Sequence, residues 1–125
     1  MKILLVDDSL LDRKLAIRVL MKAGISQEII QAEGGEQAIE ILATNYMNIC
    51  LVLLDWQMPK VSGIELMAGM VKIPELSKIP IIMVTASNSD ENKKAAYLVN
   101  PNLAGFVGKP YKPEELLAAV KPFLR

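Results

Sequence analysis

Five polar side chains in this sequence stand where short apolar runs end. Asp7 and Asp8 follow ILLV, Asp55 follows CLVLL, Thr85 closes PIIMVT, and Lys109 comes after AGFVG. Carboxylates that converge on one pocket repel each other, so at neutral pH they share a proton or hold a cation. With oxygen ligands alone, Mg²⁺ suits them better than zinc does. A lysine and a hydroxyl beside that cation would suit phosphoryl transfer, with Asp55 as the candidate nucleophile.

Each of these residues also has a simpler explanation. Asp8 could cap a helix, and Asp55 could be a turn residue. Thr85 could be an ordinary strand-end hydroxyl, and Lys109 could be a solvated lysine before a proline. In open parallel sheets, however, ligands bind beyond the carboxyl ends of the strands. Five such residues at strand ends therefore favour one shared site.

The composition excludes several classes of function. The chain has 125 residues, which predicts a single domain over residues 1–125. Its 14 basic and 14 acidic residues balance, so we expect no direct binding of nucleic acid or of an anionic membrane. Histidine is absent and Cys50 is the single cysteine, which excludes Ser/His and Cys/His pairs and histidine-ligated metal.

The chain carries no recognisable export or membrane signal. MKILLVDD turns acidic after four apolar residues, and no apolar run is long enough to cross a bilayer. A lone Cys50 fits a reducing compartment, so we expect a cytoplasmic protein. Because the sequence begins at Met1 and the last predicted helix reaches Arg125, we expect a complete domain.

Apolar runs alternate with amphipathic stretches along the whole chain. Residues 9–23 predict a first helix, with Leu11, Leu15, Val19 and Leu20 on its buried face. Pro122 is expected to end or kink the last helix. Five strand–helix units predict an α/β fold: a doubly wound (βα)5 domain with a five-stranded parallel sheet. The acidic segment DDSLLD after the first strand argues against a nucleotide-phosphate site there.

Four segments carry a family resemblance. In type and in order, these segments resemble motifs of the receiver domain of two-component response regulators: VDDS, LLDWQMPKVSG, MVTA and GKP. The resemblance covers nearly the whole chain. The resemblance implies the flavodoxin-like strand order 2-1-3-4-5. DWQMP is similar to the chemotaxis (CheY) type, whereas Phe106 stands where that type usually has tyrosine. The pathway therefore stays open.

The resemblance also implies a role for each site residue. Asp55 would accept a phosphoryl group from a phosphohistidine on a sensor histidine kinase or phosphotransfer protein. Mg²⁺ would be bound directly by Asp8, through water by Asp7, and by the backbone carbonyl of Gln57, with Asp55 also among the metal-site residues. Thr85 and Lys109 would hold the phosphoryl oxygens, and the Lys109–Pro110 peptide bond would be cis.

Phosphorylation would then act as a switch. Thr85 would move toward the phosphoryl group, and Phe106 would turn inward, changing the face formed by the fourth helix, fifth strand and fifth helix for an effector protein. Phe106 and Gly108 share one face of a strand, so we expect room for the ring beside the glycine. Because Phe106 lacks a hydroxyl, we expect the inward arrangement to be partly populated before phosphorylation.

We expect a monomeric signalling domain, with self-catalysed phosphotransfer and slow autodephosphorylation, rather than a turnover enzyme. Two alternatives are open. A phosphatase of the haloacid dehalogenase type also uses a strand-end aspartate with Mg²⁺, but it typically has a second aspartate where this chain has Gln57. A degenerate receiver would bind partners without phosphorylation, and the five intact site residues argue against it.

Overall fold

Five parallel strands form the centre of the molecule. The computed structural model describes residues 1–124, so the predicted end of the last helix at Arg125 lies outside the described residues. The strands are β1 (Lys2–Val6), β2 (Glu28–Ala32), β3 (Ile49–Leu54), β4 (Ile81–Thr85) and β5 (Gly105–Gly108). Their order is β2-β1-β3-β4-β5, which confirms the predicted doubly wound sheet.

Six helices connect and follow the strands. They are α1 (Leu10–Lys22), α2 (Gly35–Asn45), α3 (Gly63–Val71), α4 (Pro74–Ser77), α5 (Asp90–Val99) and α6 (Pro113–Val120). The short α4 was not predicted: Pro74 begins a new helical turn, where its missing N–H costs nothing. The predicted fourth and fifth helices are therefore α5 and α6. None of the helices within residues 1–124 has both the length and the apolar character to cross a membrane.

The sheet separates two apolar cores. Val52 and Leu54 of β3 face the core under α2, α3 and α5, while Leu51 and Leu53 face the core under α1 and α6. All four side chains are almost fully buried. A strand covered on both faces must be apolar at consecutive positions, which explains the run CLVLL. Burial also fixes the register, and with it the position of Asp55 at the end of β3.

The buried face of α1 differs from the prediction. Arg13, Ala16 and Leu20 face the sheet, whereas Leu11 and Leu15 are 66% and 46% exposed. Arg13 can be buried because its guanidinium donates to the carbonyl oxygen of Asp7 and to the side-chain oxygen of Gln31 on β2. The spacing of the leucines predicted the wrong buried face because Arg13, whose guanidinium is hydrogen-bonded, occupies the position facing the sheet.

Candidate functional site

The ends of β1 and β3 lie side by side at the carboxyl edge of the sheet. Val6 pairs with Leu54 in the register, so Asp7 and Asp55 leave neighbouring strands at the same level. The Asp55 N–H donates to the Val6 carbonyl at 3.0 Å, so the hydrogen bonds between β1 and β3 continue as far as Asp55. Both carboxylate-bearing residues are buried, at 4% and 8% exposure for Asp7 and Asp55.

Three carboxylates converge at this edge. One oxygen from each of Asp7, Asp8 and Asp55 lies within 4.8 Å of the other two. An all-oxygen donor set of this kind fits a hard divalent cation such as Mg²⁺. Asp8 is exposed and shares an open cleft with Trp56 and Gln57, so solvent reaches the group from that side. Burial raises the pKa of Asp7, and hydrogen bonds from Lys109 and Ser9 offset part of that increase.

Lys109 brings a cation into the acidic group. Its ammonium nitrogen lies 2.6 Å from Asp7 Oδ2, 2.8 Å from Asp12 Oδ2 and 3.2 Å from Asp55 Oδ2. The side chain enters from the end of β5, where the Lys109–Pro110 peptide bond is cis, as the resemblance implied. Burial alone would lower the pKa of Lys109, but the hydrogen bonds to Asp12 and Asp7 outweigh it and raise the pKa above its ordinary value.

Asp12 belongs to this site and was missed as a site residue in the sequence. It lies in the first turn of α1, where its N–H donates to the Ser9 side chain at 3.2 Å. The acidic segment DDSLLD contained the signal, because a helix beginning at Leu10 places Asp12 on the turn nearest the carboxyl edge. Its pairing with Lys109, 97 positions later, was not visible in the local pattern.

The segment after Asp55 turns back so closely that it requires a glycine. A Cβ atom on Gly63 would overlap the Asp55 carbonyl oxygen and lie 2.8 Å from its carbonyl carbon. The Gly63 N–H donates to the Trp56 carbonyl at 2.7 Å, so the start of α3 is bonded to the residue after the acidic one. Lys60 in the same turn has a φ of 69°, which costs a non-glycine residue some strain. The segment LLDWQMPKVSG therefore fixes the Asp55 backbone.

Thr85 lies at the same edge but does not join the carboxylates. Its hydroxyl oxygen accepts from the Ser87 N–H at 3.1 Å, and its carbonyl accepts from the Lys109 N–H at 2.9 Å. A hydroxyl that accepts still has its own proton to donate. Thr85 pairs with Gly108 in the register, which places it on the strand next to Lys109.

Phe106 is half-buried on the core beneath α5. The Lys93 ammonium lies 5.9 Å from the centre of its ring, a distance that permits a cation–π contact. The expected free space beside Gly108 is absent: a Cβ there would overlap the Asn88 amide and lie 3.1 Å from its Cγ. The prediction of room beside Gly108 was wrong because Asn88, from the loop before α5, fills it.

Comparison with known proteins identifies the family. The family model "Response regulator receiver domain" matches residues 3–121, and the chain belongs to that family. The phosphate regulon transcriptional regulatory protein PhoB of Pseudomonas aeruginosa is 39% identical over 98% of this chain and 51% of its own length. The chain thus spans about half the length of the curated relatives it matches.

Solved structures agree with that assignment. The chemotaxis protein CheY4 of Vibrio cholerae superposes with a TM-score of 0.84 at 28% identity, covering 98% of each chain. The phosphorylated cyanobacterial phytochrome response regulator RcpA gives a TM-score of 0.80 at 26% identity, covering 97% of this chain and 89% of RcpA. This chain is therefore a receiver domain of a two-component response regulator, which is a class of signalling domain.

Proposed function

We propose that Asp55 is the phosphoacceptor of this receiver domain and that Asp7, Asp8 and Asp55 hold Mg²⁺ there. The observation that carries the proposal is the meeting of three carboxylates and one lysine at the end of the central strand. The phosphorylated state of RcpA, a structural relative, supports it. Within this assignment, Asp8 would be the direct metal ligand, Asp7 would act through water, and Gln57 would contribute its backbone carbonyl.

The donor would be a phosphohistidine on a sensor histidine kinase or phosphotransfer protein. An Asp55 carboxylate oxygen attacks phosphorus, and the new O–P bond forms as the P–N bond breaks. The imidazole nitrogen leaves with the electron pair of that bond and takes up a proton from solvent. The product is an acyl phosphate on Asp55, which water hydrolyses slowly. These 125 residues contain no histidine, so the donor is a phosphohistidine outside them or a small phosphodonor.

The residues around Asp55 would stabilise charge on the transferring group. Bound Mg²⁺ would offset the negative charge of the carboxylates and of the phosphoryl oxygens. The Lys109 ammonium lies 3.2 Å from Asp55 Oδ2, which supports the proposal that it would bind a phosphoryl oxygen with little movement. Thr85 accepts from the Ser87 N–H through its hydroxyl oxygen, and it would donate the hydroxyl proton to a phosphoryl oxygen, a charged acceptor.

That movement of Thr85 would transmit the signal. Thr85 and Phe106 lie on neighbouring strands, with Met83 opposite Phe106 in the register. When Thr85 moves toward the phosphoryl group, Phe106 gains space to turn inward, which alters the face formed by α5, β5 and α6. An effector protein that prefers the altered face would then read the phosphorylated state.

Mass spectrometry after incubation with acetyl phosphate and Mg²⁺ tests the assignment of Asp55. The wild-type chain should gain the mass of one phosphoryl group, and the increment should be labile, as an acyl phosphate is. Asp55→Asn should abolish the gain, while the control Asp90→Asn, which changes an exposed acid in the first turn of α5, should keep it. An increment that persists in Asp55→Asn would refute the assignment.

The same measurement separates the alternatives. A wild-type chain that binds Mg²⁺ but never gains mass would favour a receiver that binds its partners without phosphorylation. Continuous release of phosphate from many equivalents of donor would favour a phosphatase, although the position two residues after Asp55 is Gln57 rather than an acid.

A further inference from the structure

Asp12 is an acidic residue of the site, but it has no role in phosphoryl acceptance or in metal binding as proposed above. Its Oδ2 lies 2.8 Å from the Lys109 ammonium nitrogen, closer than the 3.2 Å to Asp55 Oδ2. It is not one of the three carboxylates that converge on a common point. Its side chain is 35% exposed, whereas the Lys109 side chain is only 14% exposed. Asp12 therefore contacts the buried ammonium from the outer side of the group.

A divalent cation would change which carboxylates can retain Lys109. Asp7 and Asp55 contact the ammonium now, but both also belong to the set that fits a metal ion. A cation placed among them would repel the nearby ammonium and take over their charge. Asp12, outside that set, would keep its charge available to Lys109.

We propose that Asp12 is a positioning residue that keeps the Lys109 ammonium beside Asp55 while a divalent cation occupies the three carboxylates. An ammonium has three N–H donors on a flexible stem. One donor held by Asp12 leaves the others for incoming phosphoryl oxygens, and the rotamer freedom of the stem is lost before the donor arrives. This last consequence rests on the proposed function of Asp55, whereas the anchoring itself does not.

A simpler explanation makes the opposite prediction. Asp12 could be only a favourable negative charge in the first turn of α1, as Asp90 is in α5. Removing a negative charge near the site would then favour the approach of an anionic phosphodonor and speed phosphorylation. Removing an anchor of Lys109 should instead slow it. The sign of the change in rate therefore distinguishes the two explanations.

The anchoring is tested by NMR of the Lys109 side-chain ammonium during titration with Mg²⁺. Trp56, the one tryptophan, lies in the cleft with Asp8, and we expect its fluorescence to report saturation by the metal. We expect the ammonium signal to stay sharp in wild type and in Asp90→Asn, and to broaden or vanish in Asp12→Asn once Mg²⁺ is bound. Loss of the signal in wild type with Mg²⁺, or its retention in Asp12→Asn, would overturn the inference.

The consequence is tested by the rate of Asp55 phosphorylation with acetyl phosphate at saturating Mg²⁺. We expect a rate roughly fivefold lower in Asp12→Asn, the scale of one partly exposed ion pair, and no change in Asp90→Asn. An equal or faster rate in Asp12→Asn would show that Asp12 acts only by its charge. If wild type takes up no phosphoryl group on Asp55, the proposed function fails, and the NMR titration still decides whether Asp12 anchors Lys109.

Discussion

The carboxylate side and the Thr85 side of the sheet edge are held in place by different kinds of contact. On the carboxylate side, backbone touches backbone, with Gly63 packed on the Asp55 carbonyl. Lys109 adds direct contacts to the carboxylates at 2.6 to 3.2 Å. On the other side, the exposed side chain of Asn88 fills the space beside Gly108, and the exposed Lys93 covers the Phe106 ring.

That difference indicates which side can move. Backbone contacts and charged groups in close contact leave few alternative arrangements, so the carboxylates are pre-organised. Exposed asparagine and lysine side chains can leave their positions at little cost in free energy. A chemical change on the first side should therefore produce its conformational response on the second. The following substitutions test this contrast on each side.

Gly63→Ala should give the largest effect on the rigid side. The added methyl group meets the Asp55 carbonyl, which cannot rotate away, so we expect a loss of about 3 kcal/mol or more in the free energy of unfolding. Urea denaturation measures it. Gly69→Ala in the same helix is the matched control, because nothing lies within 4 Å of its added Cβ; it should stabilise by about 0.5 to 1 kcal/mol through helix propensity. Equal effects at both positions would contradict the close approach at Gly63.

Lys109→Met should give the next largest effect, a loss of about 2 kcal/mol without metal, because buried carboxylates lose their counter-charge. The pKa of Lys109 is raised in the folded state, so its contribution is fully present below its ordinary value of 10.5 and is lost as pH rises through the folded pKa. The loss should also shrink in acid, where the carboxylates are protonated.

Unfolding curves of Lys109→Met and wild type at several pH values measure that prediction. Lys94→Met, which removes an exposed lysine of α5, is the control and should leave stability nearly unchanged. A difference between wild type and Lys109→Met that stays constant from acid to alkaline pH would mean that the ion pairs contribute little.

The sequence predicted the framework better than it predicted the contacts within the site. The run CLVLL required a strand buried on both faces, and its end fixed Asp55 at the carboxyl edge. The strand order came from the family resemblance, because local patterns do not encode which strands pair. The spacing of Leu11 and Leu15 misled, since Arg13 takes the buried position by donating to the Asp7 carbonyl.

Two contacts of the site depend on residues far apart in sequence. Asp12 meets Lys109 across 97 positions, and Asn88 fills the space beside Gly108 from the preceding loop. Aspartate is common at helix starts and asparagine is common in loops. The residue types of Asp12 and Asn88 therefore give no reason to place them in a site. Such pairings follow from how the strand ends come together, which the residues alone did not specify.

Asp8→Ala should have a smaller effect, a gain of about 0.5 kcal/mol without metal, or roughly 2 °C in melting temperature. It relieves repulsion among three carboxylates, but Lys109 already offsets part of that repulsion. Mg²⁺ should raise the melting temperature of wild type and barely change that of Asp8→Ala. Asp7→Asn should weaken Mg²⁺ binding less than Asp8→Asn does, as read from Trp56 fluorescence. An unchanged or lower melting temperature of metal-free Asp8→Ala would argue against repulsion at the site.

Substitutions on the movable side should change stability least and motion most. Asn88→Ala removes an exposed side chain, and Gly108→Ala adds a methyl group that this side chain can avoid by rotating, so each should alter the free energy of unfolding by less than about 0.5 kcal/mol. Phe106 can enter the space beside Gly108 only when Asn88 has left it. Asn88→Ala should therefore increase the exchange seen by relaxation-dispersion NMR at Thr85 and Phe106, whereas Gly108→Ala should reduce it. If both variants show the same relaxation-dispersion exchange as wild type, Phe106 does not enter the space beside Gly108. An inward arrangement of the ring would then have to occupy a different space.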